Sequence, residues 1–186
     1  MFHLAAVETD KSRVFIVNCY AKKKEILLDD YIKSIRKHLG NKEISIPGCR
    51  ALIINSKNEV LLEERSDFKI WGLPGGSADP GEGIVRTIER EVFEETGLKI
   101  KNPIPFGFSS SPTLERITFP NGDKLHSFNL LFYSREYSGE ITLSEESIKI
   151  AWFNFKELPP MLPNMKATVM AFLEYSETGV FQVVSE

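Results

Sequence analysis

The chain is poor in cysteine, in histidine and in net charge. Its 186 residues include two cysteines, three histidines and a formal charge of −3. Cys19 and Cys49 cannot build a disulfide framework and lack the paired spacing of a thiolate metal site. They read as reduced thiols, so a cytoplasmic location is expected. The acidic balance, with a sequence pI of about 5.7, lacks the basic footprint that grips nucleic acid by its phosphates. A nucleic-acid partner is therefore disfavoured. No apolar run approaches the roughly 18 residues of a membrane span, and no membrane partner is expected. The start, MFHLAAVETDKSRV, has no charged segment followed by an adequate apolar run, so no signal peptide is expected. Internal repeats and low-complexity tracts are also missing.

What is present suits one ordinary domain with a real core, since 42% of the residues are hydrophobic. Residues 1–45 read as an N-terminal extension. In it, Arg13 to Cys19 suits a short strand and the run AKKKE a solvated turn or an anion patch. From Asp29, Tyr31, Ile32, Ile35 and Leu39 recur at helical spacing, with Asp29 or Asp30 as N-cap and Gly40 as the stop. Residues 46–186 form the main domain. Strands are expected at about 49–55 and 59–65, joined by a turn at Ser56 to Asn58. A Gly- and Pro-punctuated loop, SDFKIWGLPGGSADPGE, leads to a helix from Gly83 to Thr96, closed by Gly97. Strand-like residues 98–108 are broken by Pro103 and Pro105. Residues 114–119 and 124–134 read as a hairpin around Pro120-Asn121-Gly122-Asp123. An acidic loop over 139–147, a strand IKIAWFNF, a proline-rich bend at 158–163 and a helix from Asn164 to Tyr175 follow. Interleaved helices, strands and hairpins predict an α/β (α+β) fold, a mixed sheet covered by helices on both faces.

The helix at 83–96 is built against its own interest. Ile84, Val85, Ile88 and Val92 make the stripe that packs on the sheet, and Glu95 lands on its edge. Glu91, Glu94 and Glu95 sit at spacings where like charges repel, by roughly 0.2–0.5 kcal/mol per pair. No lysine or arginine lies four residues beyond Glu91 or Glu94. Arg90 reaches Glu94 or Glu82, which leaves too few cations for the acids. An ordinary solvated acidic face is one reading. A hard divalent cation with oxygen ligands is the other.

The spacing around these acids decides between them. Residues Gly76 to Leu98 resemble the Nudix signature, G-x5-E-x7-R-E-U-x-E-E-x-G-U with U aliphatic. Every fixed position matches: Gly76, Glu82, Arg90-Glu91-Val92, Glu94-Glu95 and Gly97-Leu98. Leu73-Pro74-Gly75-Gly76 is the usual approach to that box, and Asp79, outside the fixed positions, stands where many relatives carry glutamate. The strand order extends the resemblance over roughly 46–177. KSIRKHLG, SDFKIWGLPGG and FPNGD resemble bacterial Nudix proteins of the ADP-ribose pyrophosphatase type. The resemblance implies an α/β/α sandwich that hydrolyses a nucleoside diphosphate linked to another group, ADP-ribose-like first. A (deoxy)nucleoside triphosphate pyrophosphohydrolase is the alternative within the class, and a non-catalytic nucleotide sensor the alternative outside it. It implies that Glu91, Glu94 and Glu95 hold Mg²⁺ or Mn²⁺, with Glu82 and the Gly76 carbonyl as further ligands, and that Arg90 orients the carboxylates. It also allows a homodimer.

The chemistry agrees with the residues. Bound cations offset the negative charge by which a diphosphate repels attacking water, and a carboxylate removes the water's proton. Glu91 is one candidate base; Glu145 or Glu146, in the loop before IKIAWF, is another, unless both are surface acids. Arg50, Arg65 and Arg116 are candidate phosphate holders. Phe68 and Trp71 are candidates to stack on a base, as are Phe106, Phe108 and Phe128, unless they are core. His126 reads as structural, and Trp152 as packing on the C-terminal helix.

Overall fold

The computed structural model describes residues 4–9, 12–17, 28–119 and 121–186, with side chains for 31–119 and 121–186. Cys19 and the AKKKE run lie outside the described residues. Strands β1 (Leu4–Thr9) and β2 (Ser12–Val17) pair antiparallel. Helix α1 (Leu28–Leu39) begins one residue before Asp29. Asp29 and Asp30 therefore fall in its first turn rather than at the N-cap. Its end is as the sequence predicts: Gly40 takes φ 58 and its N–H bonds the Arg36 carbonyl at 2.8 Å. Arg36 then reaches the Lys124 carbonyl at 2.8 Å and ties α1 to the sheet.

Strand β3 (Ile44–Ile53) is the centre of the molecule, and it starts earlier than the expected 49. Period-2 alternation sends Cys49, Ala51 and Ile53 to one face and Leu52 and Ile54 to the other, and all five are buried. A strand covered on both faces reads as a continuous apolar run. On one face lies α2 (Ile84–Thr96), whose Ile88 and Val92 pack with Leu61, Leu98, Ile100 and Phe132. On the other lies α3 (Pro163–Thr178), whose Val169 and Phe172 pack with Leu62, Leu73, Phe106 and Leu131. Each of these buried side chains contributes roughly 1.5–3 kcal/mol of transfer free energy. The result is the expected layered arrangement of helix, sheet and helix.

Besides two-stranded pairs such as β1-β2, the β-layer has a larger and a smaller sheet. After β3 the chain turns at Asn55–Asn58 into β4 (Glu59–Arg65), but only Ile54 bridges Val60 before the strands diverge. The short strands β5 (Trp71–Gly72) and β6 (Gly75–Ser77) appear where a loop is expected. They form because Gly76 and Trp71 each lie in register with a longer strand, Gly76 opposite Cys49 of β3 and Trp71 opposite Glu64 of β4. Then come β7 (Lys99–Lys101), β8 (Ile104–Ser109), β9 (Arg116–Thr118), β10 (Lys124–Ser134), β11 (Glu136–Ser138), β12 (Ser147–Asn154) and β13 (Gln182–Val184). The larger sheet runs β13-β8-β10-β3-β6 with β9 on β10, the smaller runs β12-β4-β5, and β7 and β11 form a two-stranded pair. The pairs β10·β3 and β13·β8 are parallel and the rest of the larger sheet is antiparallel, so it is mixed.

Two packing expectations are corrected. Trp152 does not meet α3; it packs on the α2 side, 5.6 Å from Tyr137 ring to ring, because it pairs with Leu61 and shares that face. The neighbouring Phe153 takes the α3 side instead. On α2, Val85 is 48% exposed while Thr87 is fully buried. The buried arc is therefore rotated, and it runs from Thr87 through Glu91, Ile84, Glu95 and Ile88 to Val92. Glu95 sits at its middle, not at its edge.

Candidate active site

The turn from β6 into α2 brings the box residues together. Gly97 ends α2 in the left-handed region, φ 76, and its N–H caps the Phe93 carbonyl. Gly76 is required for a different reason. A Cβ there would collide with the carboxyl carbon and both oxygens of Glu91. The bare backbone of β6 is thus a cradle filled by a carboxylate.

Arg90 organises three of the acids. Its Nε and Nη2 donate to Glu82 at 3.0 and 2.9 Å, and Nη1 donates to Glu91 at 2.9 Å and Glu94 at 3.0 Å. Nη2 also reaches the Ser77 carbonyl at 3.1 Å. Hydrogen bonds from Arg90 hold the Glu82 carboxyl below the usual range, and these acids keep the guanidinium charged. Glu94 is the most exposed of the set, at 57% of its side chain.

The other acids are less well compensated. Burial pushes the Glu91 carboxyl up, against the pull of Arg90. Glu95 is 5% exposed and accepts the Gly75 N–H at 2.8 Å. Burial, and then the charge of Glu63, push it well above the usual range. Glu63, on β4, is 1% exposed and raised by the same burial. Ser147 donates to its Oε2 at 2.6 Å, and its Oε1 is buried with no hydrogen-bond partner, 4.0 Å from an Arg65 nitrogen.

Glu91 and Glu95 border an open cleft of about 280 Å³, together with Gly75, Gly76, Ser77, Arg65 and Glu146. Its apolar lining comes from Phe68, Ile117, Phe119, Leu125, Leu162 and Met165. Ser127, Asn129 and Asn164 supply further polar groups. A second cavity of about 340 Å³ lies between α1 and Ala78–Glu82; its walls are mostly aliphatic, and Glu63, Glu91 and Glu95 do not reach it.

The arrangement fits a divalent cation. Among the described residues no three acidic, histidine or cysteine side chains stand ready-made around one point; Arg90 gathers Glu82, Glu91 and Glu94 to itself. Yet half-buried Glu91 and buried Glu95 are carboxylates whose charge lacks full compensation, and the Gly76 backbone lies against Glu91. Buried anions of this kind are costly unless a cation neutralises them.

The sequence candidates divide as follows. Glu82, Glu91, Glu94, Glu95, Arg90 and Gly76 come together in one cluster. Glu146 lines the cleft, whereas Glu145 does not, and meets Ser66 only through its carbonyl. Arg65 lines it with Nε and Nη2 on the Asp67 carboxylate at 3.0 and 2.9 Å. Phe68 stands at its wall, 6.2 Å from Phe119. Arg50 borders the cleft but its fork is taken: Nη1 and Nη2 bond the fully buried Glu115 at 3.1 and 2.7 Å. Trp71 packs edge-on against Phe153 at 4.7 Å, and Arg116 faces Glu43 at 2.6 Å on the surface; neither borders the cleft. Phe106 is core, and Phe108, His126 and Phe128 group together outside the cleft. Cys49 borders the cleft with its thiol pushed up to about 12 by burial, which makes it unreactive.

Glu63, Ser147, Asn129 and Glu115 did not emerge from sequence. A signal existed for Glu63: in VLLEER, period 2 places it with Leu61 on the α2 face. Glu115 carried none, because its partners Arg50, Ser109, Asn129 and Asn164 come from four separate segments.

Comparison with known proteins adds four findings. The family model described as NUDIX domain matches residues 45–173. An ADP-ribose pyrophosphatase of Methanocaldococcus jannaschii is 29% identical over 154 residues, covering 80% of this chain and 84% of that protein. The NAD-capped RNA hydrolase NudC of Mannheimia succiniciproducens is 40% identical over 136 residues, 68% of this chain, but the chain spans only 47% of that relative's length. The solved MutT NUDIX hydrolase of Burkholderia pseudomallei superposes with a TM-score of 0.56 at 25% identity, over 69% of this chain and 98% of that one.

Proposed function

The chain belongs to the Nudix family of hydrolases, and from that premise we propose that it hydrolyses the diphosphate bond of a nucleoside diphosphate linked to another group, ADP-ribose-like first. The observation that carries this reading is the carboxylate pair of half-buried Glu91 and buried Glu95 in a cleft that is also lined by Phe68, Phe119 and other apolar side chains. One part of such a cleft suits a charged diphosphate and the other a base or sugar. The relative from M. jannaschii, named an ADP-ribose pyrophosphatase, supports the substrate order.

Glu91, Glu94 and Glu95, with Glu82 and the Gly76 carbonyl, would hold Mg²⁺ or Mn²⁺. Such an ion, when bound, offsets phosphate charge and makes water more acidic. Arg90 holds Glu82, Glu91 and Glu94 in one cluster and so fixes their orientation. The proton of the attacking water goes to Glu146. It borders the same cleft as Glu91, and among the described residues its carboxylate accepts no hydrogen bond, whereas Glu91 is occupied by Arg90. Arg65 meets a substrate phosphate, its charge kept by Asp67. Phe68 and Phe119 flank the base.

The test is release of nucleotide from a panel: ADP-ribose, a nucleotide sugar, dGTP, NADH and NAD-capped RNA, with Mg²⁺, with Mn²⁺ and with chelator. Cation-dependent turnover of ADP-ribose is expected. Preference for dGTP would favour the triphosphate alternative. Binding by thermal shift without turnover of any member would favour a sensor.

A further inference from the structure

The buried Glu63 has no role in the cluster that Arg90 gathers, yet it is among the most buried polar groups in the molecule. A carboxylate in such a place is costly, and a single good hydrogen bond offsets only part of that cost. Its bond is to Ser147, the residue immediately after Glu146.

That bond exists because the strand is irregular. Along β12, Ile150 pairs with Glu63 and Trp152 with Leu61, so even-numbered residues face α2, while Phe153 faces α3. Regular alternation would place Ser147 with Phe153, on the side away from Glu63. Instead the register shifts between Ser147 and Lys149: Ser147 sits opposite Arg65, Lys149 opposite Glu64, and Ile148 is the extra residue, 48% exposed. One inserted residue flips the side chain to the other face. Ser147 thereby joins Glu63 and Arg65 on the α2 side, and its hydroxyl reaches the carboxylate. The preceding residue is fixed from just beyond the end of β4: the Ser66 N–H donates to the Glu146 carbonyl at 2.8 Å.

We infer that Glu63 and Ser147 are a positioning pair, which with the bulge at Ile148 holds the Glu146 carboxylate at the cleft. The inference rests on the reading of Glu146 as proton acceptor, and it assigns Glu63 no contact with substrate. The pair also explains why a buried, partly unsatisfied carboxylate is kept on β4: an apolar residue there would pack without cost but would release the loop.

The experiment uses the full chain with Mn²⁺ and ADP-ribose, or dGTP if the panel selects it. It combines hydrogen exchange over residues 141–150 with kinetics of Ser147→Ala, Ser147→Thr, Glu146→Gln and the double variant Ser147→Ala/Glu146→Gln. In Ser147→Ala, exchange at 144–148 is expected to speed up and kcat to fall about tenfold or more, since small misplacements of a reacting group are that costly, with KM within about twofold. Ser147→Thr, which keeps a hydroxyl, is expected to restore most of kcat. In the Glu146→Gln background, Ser147→Ala is expected to cost less than about twofold, because the residue it positions is already disabled. Multiplying losses in the double variant, or unchanged exchange in Ser147→Ala, would overturn the pair. Parental kcat in Glu146→Gln would overturn the proton-acceptor reading and the pair's catalytic purpose with it, while faster exchange in Ser147→Ala would separately show that the bond restrains the loop.

Discussion

Removing the guanidinium that gathers the acids gives a prediction whose size follows from the geometry. Arg90→Gln deletes two hydrogen bonds to Glu82 and one each to Glu91, Glu94 and the Ser77 carbonyl. A charge-assisted bond contributes about 1.5–3 kcal/mol net when sheltered, but Arg90 is 20% exposed and Glu94 57% exposed, so the Glu94 pair is worth about 0.5 kcal/mol or less. Counting the bidentate Glu82 pair as the main term, with the usual screening, the loss is about 3 kcal/mol. For a chain of this size that lowers the melting temperature by about 6–12 °C. The pH dependence has a definite sign. The Glu82 carboxyl is held below its ordinary value of 4.5, so its contribution is full above that value and is lost as pH falls through the lowered one. The gap between parent and variant is thus widest at neutral pH and narrows in acid, as pH falls through the lowered value at which Glu82 takes up its proton. Calorimetry in chelator at pH 7 and in the acid range measures both. A variant that melts within about 1 °C of the parent at pH 7 would refute the reasoning, as would a gap that widens in acid.

Three further outcomes follow from other parts of the site. Gly76→Ala drives a methyl into the Glu91 carboxylate, which must swing away from the site; turnover should fall by about a hundredfold or more while the melting temperature changes little, measured by steady-state kinetics beside thermal melts. Glu115→Ala leaves Arg50 buried without its partner, a change worth about 3–5 kcal/mol that denaturant unfolding would reveal. Glu95→Gln should stabilise the chelator-treated protein at pH 7: the raised carboxyl contributes stability below 4.5 that is lost as pH rises through its folded value, and the amide keeps the Gly75 bond without the charge. Melting against pH should therefore be flatter in this variant than in the parent.

What the sequence disclosed depended on how local each feature is. The box was legible because one loop and one helix carry every fixed position, from Gly76 to Leu98. The hairpin at Asn121-Gly122 and the helix stop at Gly97 were legible because turn chemistry is written in adjacent residues. Glu95 was misplaced to the edge of the apolar stripe because the burial of Thr87 by the sheet, which rotates the arc, is a tertiary effect. Arg50 looked free for phosphate because Glu115, 65 residues away, gives no sign of pairing with it. Ser147 was invisible for a subtler reason. A bulge moves a side chain across the sheet without changing the hydrophobic pattern around it, so the alternation in IKIAWFNF predicts the wrong face. The strand β13 lies beyond the last expected element, and its pairing with β8 depends on where α3 delivers the chain.

The central claim is that the buried acids on α2 serve diphosphate hydrolysis. Its most direct test is product analysis with ADP-ribose and Mn²⁺ for the parent and Glu95→Gln, with folding of both checked by their melts. AMP and ribose 5-phosphate from the parent, and neither above background from a folded Glu95→Gln, is the predicted result. Equal release of both products by the folded variant would contradict it.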